Sequence, residues 1–167
     1  PRSGPFFEYG AARYFLALRD GRPVGRVSAH VNPRYEERHD PHTGFFGFFE
    51  CIEDPTVSHA LFESVAAWLR GRGKKRILGP LSFSIYDEVG LLVDGFDSLP
   101  AILHAHNPPY YQELLQQSNA GDFDEYVVKA TSVYAPSDTP DYGKDSLSSI
   151  ELLRFADGVY DIASGVF

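Results

Sequence analysis

Residues 44–70 read GFFGFFECIEDPTVSHALFESVAAWLR, and this stretch decides the fold. Its first part, residues 45–52, is an aromatic run that is apolar on both faces, which is typical of a strand inside a sheet. Asp54 followed by Pro55 is a common helix start, because aspartate caps free amides and proline fits the first turn. The stretch therefore predicts a central strand that leads directly into a helix.

The predicted helix continues to about residue 70. Apolar side chains recur along it every three or four positions, at Val57, Leu61, Val65 and Trp68. That spacing places them on one face, which a helix buries against a sheet. Glycines at positions 71 and 73 end the pattern, so we expect the helix to stop there.

Further strands and a second helix are predicted on both sides of this unit. Asp20-Gly21 separates two β-prone segments, residues 14–18 and 23–31, and predicts an antiparallel hairpin. Downstream, apolar segments predict short strands or sheet edges and then a helix, at residues 76–80, 90–96, 101–105 and 110–115. This order of elements predicts the α/β class, with one layered sheet and flanking helices.

The composition indicates a globular protein of one domain with a small appendage. The chain has 167 residues, of which 43% are hydrophobic and 14% aromatic, and a disordered chain would be less apolar. The single cysteine, Cys51, cannot form an internal disulfide, so the cytoplasm is the expected compartment. His39, Asp40 and His42 stand in a polar connection, where we expect a solvated loop and no metal site.

Charge and hydropathy argue against two classes of partner. The chain carries 15 Lys and Arg against 23 Asp and Glu, and a net charge of −8 disfavours binding to nucleic-acid backbones. No run approaches the ~18 apolar residues that span a bilayer, and no basic-then-apolar leader opens the chain. We therefore expect neither a nucleic-acid nor a membrane partner, while a homodimer is left open.

Five short phrases along the chain form a set. They are GRVSAH (25–30), GFFGFFE (44–50), AWLR (67–70), GP (79–80) and NPPYY (107–111). Together they resemble a branch of the GNAT superfamily of N-acetyltransferases, over roughly residues 6–117. The resemblance implies a GNAT-like sheet that is mixed and mostly antiparallel, and the transfer of an acyl group from coenzyme A to an amine.

The resemblance also implies where an acyl coenzyme A such as acetyl-CoA binds. The cofactor lies where two neighbouring strands splay apart, because the unpaired strand amides bond its pantetheine arm as a further strand would. The following helix offers its N-terminal amides to the pyrophosphate. The implied cofactor-binding residues are Phe48, Phe49, Cys51, Thr56, Val57, Ser58, Asn107 and Tyr110.

One segment departs from the family pattern. The usual phosphate loop, Gln/Arg-x-x-Gly-x-Gly/Ala, is missing, and Glu53-Asp54-Pro55-Thr56 stands in its place. Two acids repel a pyrophosphate, and the proline lacks an amide donor. The alternative function is therefore a non-catalytic binding or assembly module that keeps the fold.

Acyl transfer to an amine needs a base for the ammonium proton and an acid for the leaving thiolate. The resemblance implies that Glu50 is the base and Tyr111 the acid, and His106 is a further catalytic candidate near the same cleft. Each has an alternative interpretation. Glu50 also fits a solvated strand end, Tyr111 a core residue, and His106 a structural histidine.

The last part of the chain carries a different signal. Asp138-Thr139-Pro140, Tyr142-Gly143 and Asp145-Ser146-Leu147 resemble the prosthetic-group region of an acyl carrier protein, over about residues 122–167. The resemblance implies a helical segment in which Ser146 carries 4'-phosphopantetheine, with a helix predicted over 145–160. A plain Asp-Ser helix cap is the alternative, and residues 122–130 fit either a strand or a helix start.

These signals divide the chain into an acyltransferase-like domain, residues 1–117, and a carrier-like segment, residues 118–167. Ser118-Asn119-Ala120 resembles the remnant of a cleaved tag, which raises the alternative that the second unit precedes the first. The expected function is an acyltransferase. Its donor is a thioester of coenzyme A or of the carrier segment, and its acceptor is an amine.

Overall fold

A computed structural model describes residues 4–84, 86–97, 99 and 105–118, together with the backbone of residues 125–132 and 151–154. The strands are β1 (Ala11–Arg19), β2 (Arg22–Val31), β3 (Thr43–Cys51), β4 (Arg76–Gly79), β5 (Leu91–Asp94), β6 (Glu125–Ser132) and β7 (Glu151–Arg154). The helices are α1 (Pro33–Glu36), α2 (Pro55–Arg70) and α3 (Tyr111–Gln117), and a 3-10 turn spans Pro5–Glu8.

The strands of the described residues form one mixed sheet in the order β1-β2-β3-β4-β6-β5, with β7 paired to β6. The pairs β1–β2, β2–β3 and β6–β7 are antiparallel. The pairs β3–β4, β4–β6 and β5–β6 are parallel. The predicted α/β class with a mixed sheet is confirmed, and the antiparallel pairs supply its longest ladder, between β1 and β2.

The hairpin and the first long helix predicted from local signals are present. Asp20 and Gly21 have φ angles of 51° and 73° and join β1 to β2, as a tight hairpin turn requires. Helix α2 begins after Asp54, whose carboxylate accepts the Thr56 amide at 2.9 Å. Its apolar face packs on the sheet through fully buried side chains, which include Phe62, Val65, Ala66 and Leu69.

The carboxyl-terminal part differs from the prediction. Glu151–Arg154 form β7, so the helix predicted over residues 145–160 is wrong at these positions. The physical reason is tertiary, because the backbone of this segment pairs with residues 127–130 of β6 and a strand partner overrides local helix preference. The sequence of residues 122–130 fits either a strand or a helix start, and in the structure residues 125–132 form strand β6 inside the main sheet.

Aromatic side chains cover the sheet face opposite α2. His30 lies fully buried among the rings of Phe6, Phe45 and Phe83, with ring centroids 5.2–5.6 Å from its own. Neither of its ring nitrogens has a hydrogen-bond partner among the described residues. Burial lowers the pKa of His30 from 6.5 to about 3, because the apolar rings cannot solvate an imidazolium.

We expect His30 to make the protein acid-sensitive. In the unfolded chain His30 takes up a proton near pH 6.5, while in the folded chain it does not. The contribution of neutral His30 to folding stability is therefore complete above pH 6.5 and is lost as the pH falls toward 3. The loss approaches about 1.4 kcal/mol per pH unit. In urea unfolding, the stability of wild type relative to His30→Leu should fall by about 1.5 kcal/mol between pH 6.5 and 5. Parallel pH profiles of the two proteins contradict this assignment, since all other titrating groups are shared.

Candidate functional site

A gap opens in the sheet between β3 and β4. The two strands pair only from Thr43 opposite Arg76 to Phe45 opposite Leu78. Strand β4 ends at Gly79, while β3 continues for six residues beyond Phe45, to Cys51. The edge of β3 that faces β4 is therefore free of a strand partner over this part.

Backbone and side-chain groups of residues 81 and 82 occupy the first part of that free edge. The Leu81 amide donates to the Phe46 carbonyl at 2.8 Å. The Phe48 amide donates to Ser82 Oγ at 3.3 Å. Gly47 permits this approach, because a Cβ at this position would collide with the Leu81 carbonyl oxygen.

A bulge changes the direction of the second part of β3. Phe48 has a φ of 49°, in the left-handed region, and the register with β2 shifts between Arg26 and Ser28. Such a bulge bends a strand and changes the direction of the groups that follow. Beyond it, the amide and the carbonyl of Cys51 both point to helix α3 and the residue before it.

Two tyrosine hydroxyls bond the backbone of Cys51. The Cys51 amide donates to Tyr111 Oη at 3.1 Å, and Tyr110 Oη donates to the Cys51 carbonyl at 3.0 Å. Together with Ser82, three hydroxyls thus bond this edge of β3 where a neighbouring strand would place amides and carbonyls. Hydroxyl groups both donate and accept, so they satisfy the edge without a strand.

The structure brings the predicted acid and the predicted base into contact. Tyr111 Oη donates to Glu50 Oε2 at 2.8 Å. Tyr111 is only 4% exposed, and burial together with this bond to Glu50 raises its pKa well above the usual value of 10.0. Tyr111 therefore stays protonated in the physiological range and can serve as a proton donor.

Glu50 has a second neighbour on its other side. Its Oε1 lies 3.7 Å from Arg26 Nη2, and both side chains are more than half exposed. Such an exposed pair adds ~0–1 kcal/mol to stability, so its main effect is to orient the carboxylate. Glu50 consequently sits between a buried hydroxyl and the solvent.

Glu88 is a charged neighbour that the sequence did not reveal. Residues 81–90 fold back on themselves, with a bridge between Leu81 and Val89 and a bond from the Ser82 amide to the Glu88 carbonyl. Partial desolvation and the nearby Glu50 carboxylate raise the pKa of Glu88. No local sequence pattern predicts that Glu88 belongs to the site, because its position near Glu50 depends on the path of this loop.

The β3 residues implied as cofactor contacts are divided between the two faces of the strand. Phe49 is buried and packs on Phe62 and Tyr111, with ring centroids 5.6 and 5.1 Å away. Phe48 is half-buried and meets Phe83 on the opposite face. Cys51 is buried, and burial raises the pKa of its thiol to about 11, so the thiol is not a nucleophile near neutral pH.

The amides at the start of α2, implied as pyrophosphate contacts, already have partners. The Thr56 amide bonds the Asp54 carboxylate, and the amides of Val57 and Ser58 bond the Asp54 carbonyl. Arg19 lies 2.6 Å from Asp54, and the two contacts hold the pKa of that carboxyl below its usual value. An anion at this helix end competes with a bound carboxylate.

Two further predicted site residues, Asn107 and His106, make no described contact with Glu50 or Tyr111. The Asn107 side chain bonds the amide and the carbonyl of Leu92, at 2.8 and 3.1 Å, and so ties β5 to the segment before α3. His106 is exposed, and no described contact joins it to Glu50 or Tyr111. Ser146 and residues 101–104, where a strand was predicted, lie outside the described residues.

The described residues hold neither a cluster of metal-ligand side chains nor a membrane-spanning helix. They contain no group of three or more His, Cys, Asp or Glu side chains that could hold a metal ion. Within the same residues, no helix combines the length and the apolar character needed to cross a membrane.

Two curated proteins are similar to most of this chain. The bacterial ceramide synthase of Caulobacter vibrioides is 41% identical over 111 residues, which are 66% of this chain and 29% of that protein. Protein YghO of Escherichia coli is 39% identical over 103 residues, which are 62% of this chain and 26% of that protein. No protein-family model and no solved structure matches. The chain thus spans less than a third of the length of each of these relatives.

Proposed function

We propose that this chain belongs to an enzyme that transfers an acyl group from a thioester to an amine. The observation that carries the proposal is the hydrogen bond between Tyr111 and Glu50 at the gap beside β3. It joins a buried proton donor to an exposed carboxylate, and acyl transfer to an amine needs one group of each kind. The GNAT-like fold, with its splayed central strands, is part of the same proposal.

The proton path follows from the contact. A neutral amine attacks the thioester carbonyl, and the new C–N bond leaves an ammonium whose proton passes to Glu50. The C–S bond breaks as Tyr111 gives its proton to the leaving sulfur. The proton on Glu50 then returns to Tyr111 through their 2.8 Å hydrogen bond, which restores both groups and leaves an amide and a thiol.

The free edge of β3 supports a pantetheine thioester as the donor. A pantetheine arm carries two amides, and an extended chain with amides bonds a strand edge as a further strand does. It would take the places of the Ser82 and Tyr110 hydroxyls on the β3 backbone. Both coenzyme A and a carrier protein present this arm, and the carrier-like segment with Ser146 stays a prediction.

The electrostatics at the start of α2 favour a donor without a pyrophosphate. Asp54 caps the helix and pairs with Arg19 at 2.6 Å, so its carboxylate stands where an anion would bind. Like charges repel, and the proline at position 55 removes one amide donor. We therefore place a carrier-bound thioester ahead of free acyl coenzyme A as the donor.

The name of one relative agrees with this chemistry. Ceramide is an amide of a fatty acid with a long-chain amino alcohol, and a ceramide synthase makes such a bond. The similar segment includes most of the present chain, although it is under a third of that protein. The name thus supports acyl transfer to an amine as the reaction class.

A non-catalytic module is the second candidate. This candidate is favoured because the polar groups of the site are already hydrogen-bonded within the chain. The Cys51 backbone and the α2 amides have such partners. A fold of this kind can bind an assembly partner without turnover. The two candidates differ in whether a thioester binds at all.

Donor binding and product formation test the proposal together. The chain is mixed with an acyl coenzyme A or an acyl carrier protein and with an alkylamine, and the amide is measured by mass spectrometry. Calorimetry with each donor reports binding without turnover. We expect amide from at least one donor, with the carrier-bound thioester ahead. If neither donor binds and no amide forms, the acyltransferase proposal is wrong and the module is favoured.

A further inference from the structure

An apolar stripe lies exposed on β1. Tyr14, Leu16 and Leu18 are 57, 59 and 60% exposed, respectively. They occupy alternate positions and share one face of the strand, while Phe15 and Ala17 between them pack toward the core under α2. The stripe therefore lies on the sheet face away from α2, and a contiguous exposed apolar patch is a feature of binding surfaces.

The strand register places this stripe beside the candidate site. Leu16 is paired with Arg26 across β1 and β2, and Arg26 is paired with Glu50 across β2 and β3. The three residues form one row, and the 3.7 Å contact between Arg26 and Glu50 shows that these two share a face. Since strands lie ~4.8 Å apart, Leu16 is about 10 Å from Glu50.

The two sides of Glu50 have different surroundings. Tyr111 and the free edge of β3 lie on one side, where the proposed donor binds. Arg26 and then Leu16 lie on the other side. An amine that reaches Glu50 while the donor fills the gap can therefore extend over Arg26 toward the stripe.

The size of the stripe indicates which kind of ligand it can bind. Each partner of a stable protein interface contributes ~800 Å², and three partly exposed side chains supply only a fraction of that. The stripe is narrow, and it continues into aromatic rings, since Tyr14 lies 6.0 Å from Phe48 and 6.2 Å from Phe83 between ring centroids. A narrow apolar row of this kind fits an alkyl chain better than a protein surface.

We propose that Tyr14, Leu16 and Leu18 bind the alkyl chain of the amine acceptor and thereby select long-chain amines. The inference rests on the proposed acyl transfer at Glu50 and Tyr111. An amine at Glu50 with a short chain cannot reach a stripe about 10 Å away. Each methylene that reaches it and leaves water adds roughly three- to fourfold to the preference.

The test compares two chain lengths in one variant. In Leu16→Thr/Leu18→Thr, threonine keeps a good strand former at exposed positions, so the fold is retained. We expect kcat/KM for dodecylamine to fall at least ~10-fold and that for butylamine to change less than twofold. Leu99→Thr is the matched control, because Leu99 is 92% exposed outside the strands. It should leave both values unchanged.

Calorimetric binding of dodecylamine, below its micelle concentration, gives a readout that needs no turnover. We expect the double variant to bind at least ~10-fold more weakly than wild type. Equal binding, or equal losses for both amines, overturns the inference. So does a wild-type dimer that the variant abolishes without a change in amine binding, since a second copy then covers the stripe.

The two proposals fail in different ways. If wild type forms no amide from any amine but binds dodecylamine through the stripe, the acyltransferase proposal fails and the alkyl site stands. If amide forms with no preference for chain length, the acyltransferase proposal stands and the inference about the stripe is wrong.

Discussion

Replacing Tyr111 with phenylalanine is expected to lower kcat for amide formation by about 10²–10³, with little change in the KM of the amine. The substitution removes the hydroxyl that bonds Glu50 at 2.8 Å and keeps the ring that packs on Phe49. The leaving sulfur then has no proton donor, and the proton taken by Glu50 has no return path. The measurement is steady-state formation of amide with the preferred thioester.

Tyr110→Phe is the matched control for that experiment. It removes the neighbouring hydroxyl, which bonds the Cys51 carbonyl and not Glu50. We expect it to change donor binding more than kcat. Glu50→Gln should also lower kcat, and the double variant Glu50→Gln/Tyr111→Phe should be little slower than the slower single variant, because the residues act as one unit. A Tyr111→Phe enzyme with wild-type kcat removes Tyr111 from the mechanism.

Tyr111→Phe also has an expected structural cost. Its hydroxyl accepts the buried Cys51 amide at 3.1 Å, and a buried donor without a partner costs about 1–3 kcal/mol. Urea unfolding measures this loss. A loss of that size with normal donor binding separates the chemical role of the hydroxyl from its structural role.

Gly47→Ala is expected to destabilise the protein by roughly 3 kcal/mol, near the upper end for overpacking. A Cβ at Gly47 would overlap the carbonyl oxygen of Leu81, which is backbone and cannot rotate away as a side chain can. The chain at residues 81 and 82 must then move off β3, which breaks the bonds at Phe46 and Phe48. Urea unfolding gives the change in the free energy of unfolding.

Gly71→Ala is the control with the same chemical change. Gly71 has a φ of −60°, which alanine adopts readily, and a Cβ there comes no closer than 3.5 Å to another atom. We expect this variant to match wild type or to gain up to ~1 kcal/mol. If Gly47→Ala and Gly71→Ala behave alike, the close contact between β3 and residue 81 does not hold in solution.

Much of the fold could be predicted because its signals are local. The hairpin follows from Asp20-Gly21, whose left-handed conformation suits the turn, and α2 follows from its Asp54-Pro55 start and apolar spacing. Strand β7 could not be predicted in this way. A helix is predicted over residues 145–160, and only the pairing with β6 makes residues 151–154 a strand.

The candidate site was predictable only for some of its residues and not as an arrangement. Glu50 and Tyr111 were each singled out through the resemblance, yet they are 61 positions apart and meet because α3 places the hydroxyl beside the bulged end of β3. No local sequence pattern singles out Ser82 and Glu88, since the path of a loop places them at the site. The resemblance implies that the α2 amides bind a pyrophosphate, whereas Asp54, the predicted helix cap, bonds them.

The sequence by itself determined the hairpin, the central aromatic strand and the helix that follows it. These depend on turn chemistry, capping and periodicity, which act between near neighbours. Only the tertiary structure decided that β3 and β4 separate beyond Phe45, that hydroxyls bond the edge left free, and that Leu16 lies in one row with Glu50. Strand register and loop paths join residues far apart in the chain, and local preferences do not specify such contacts.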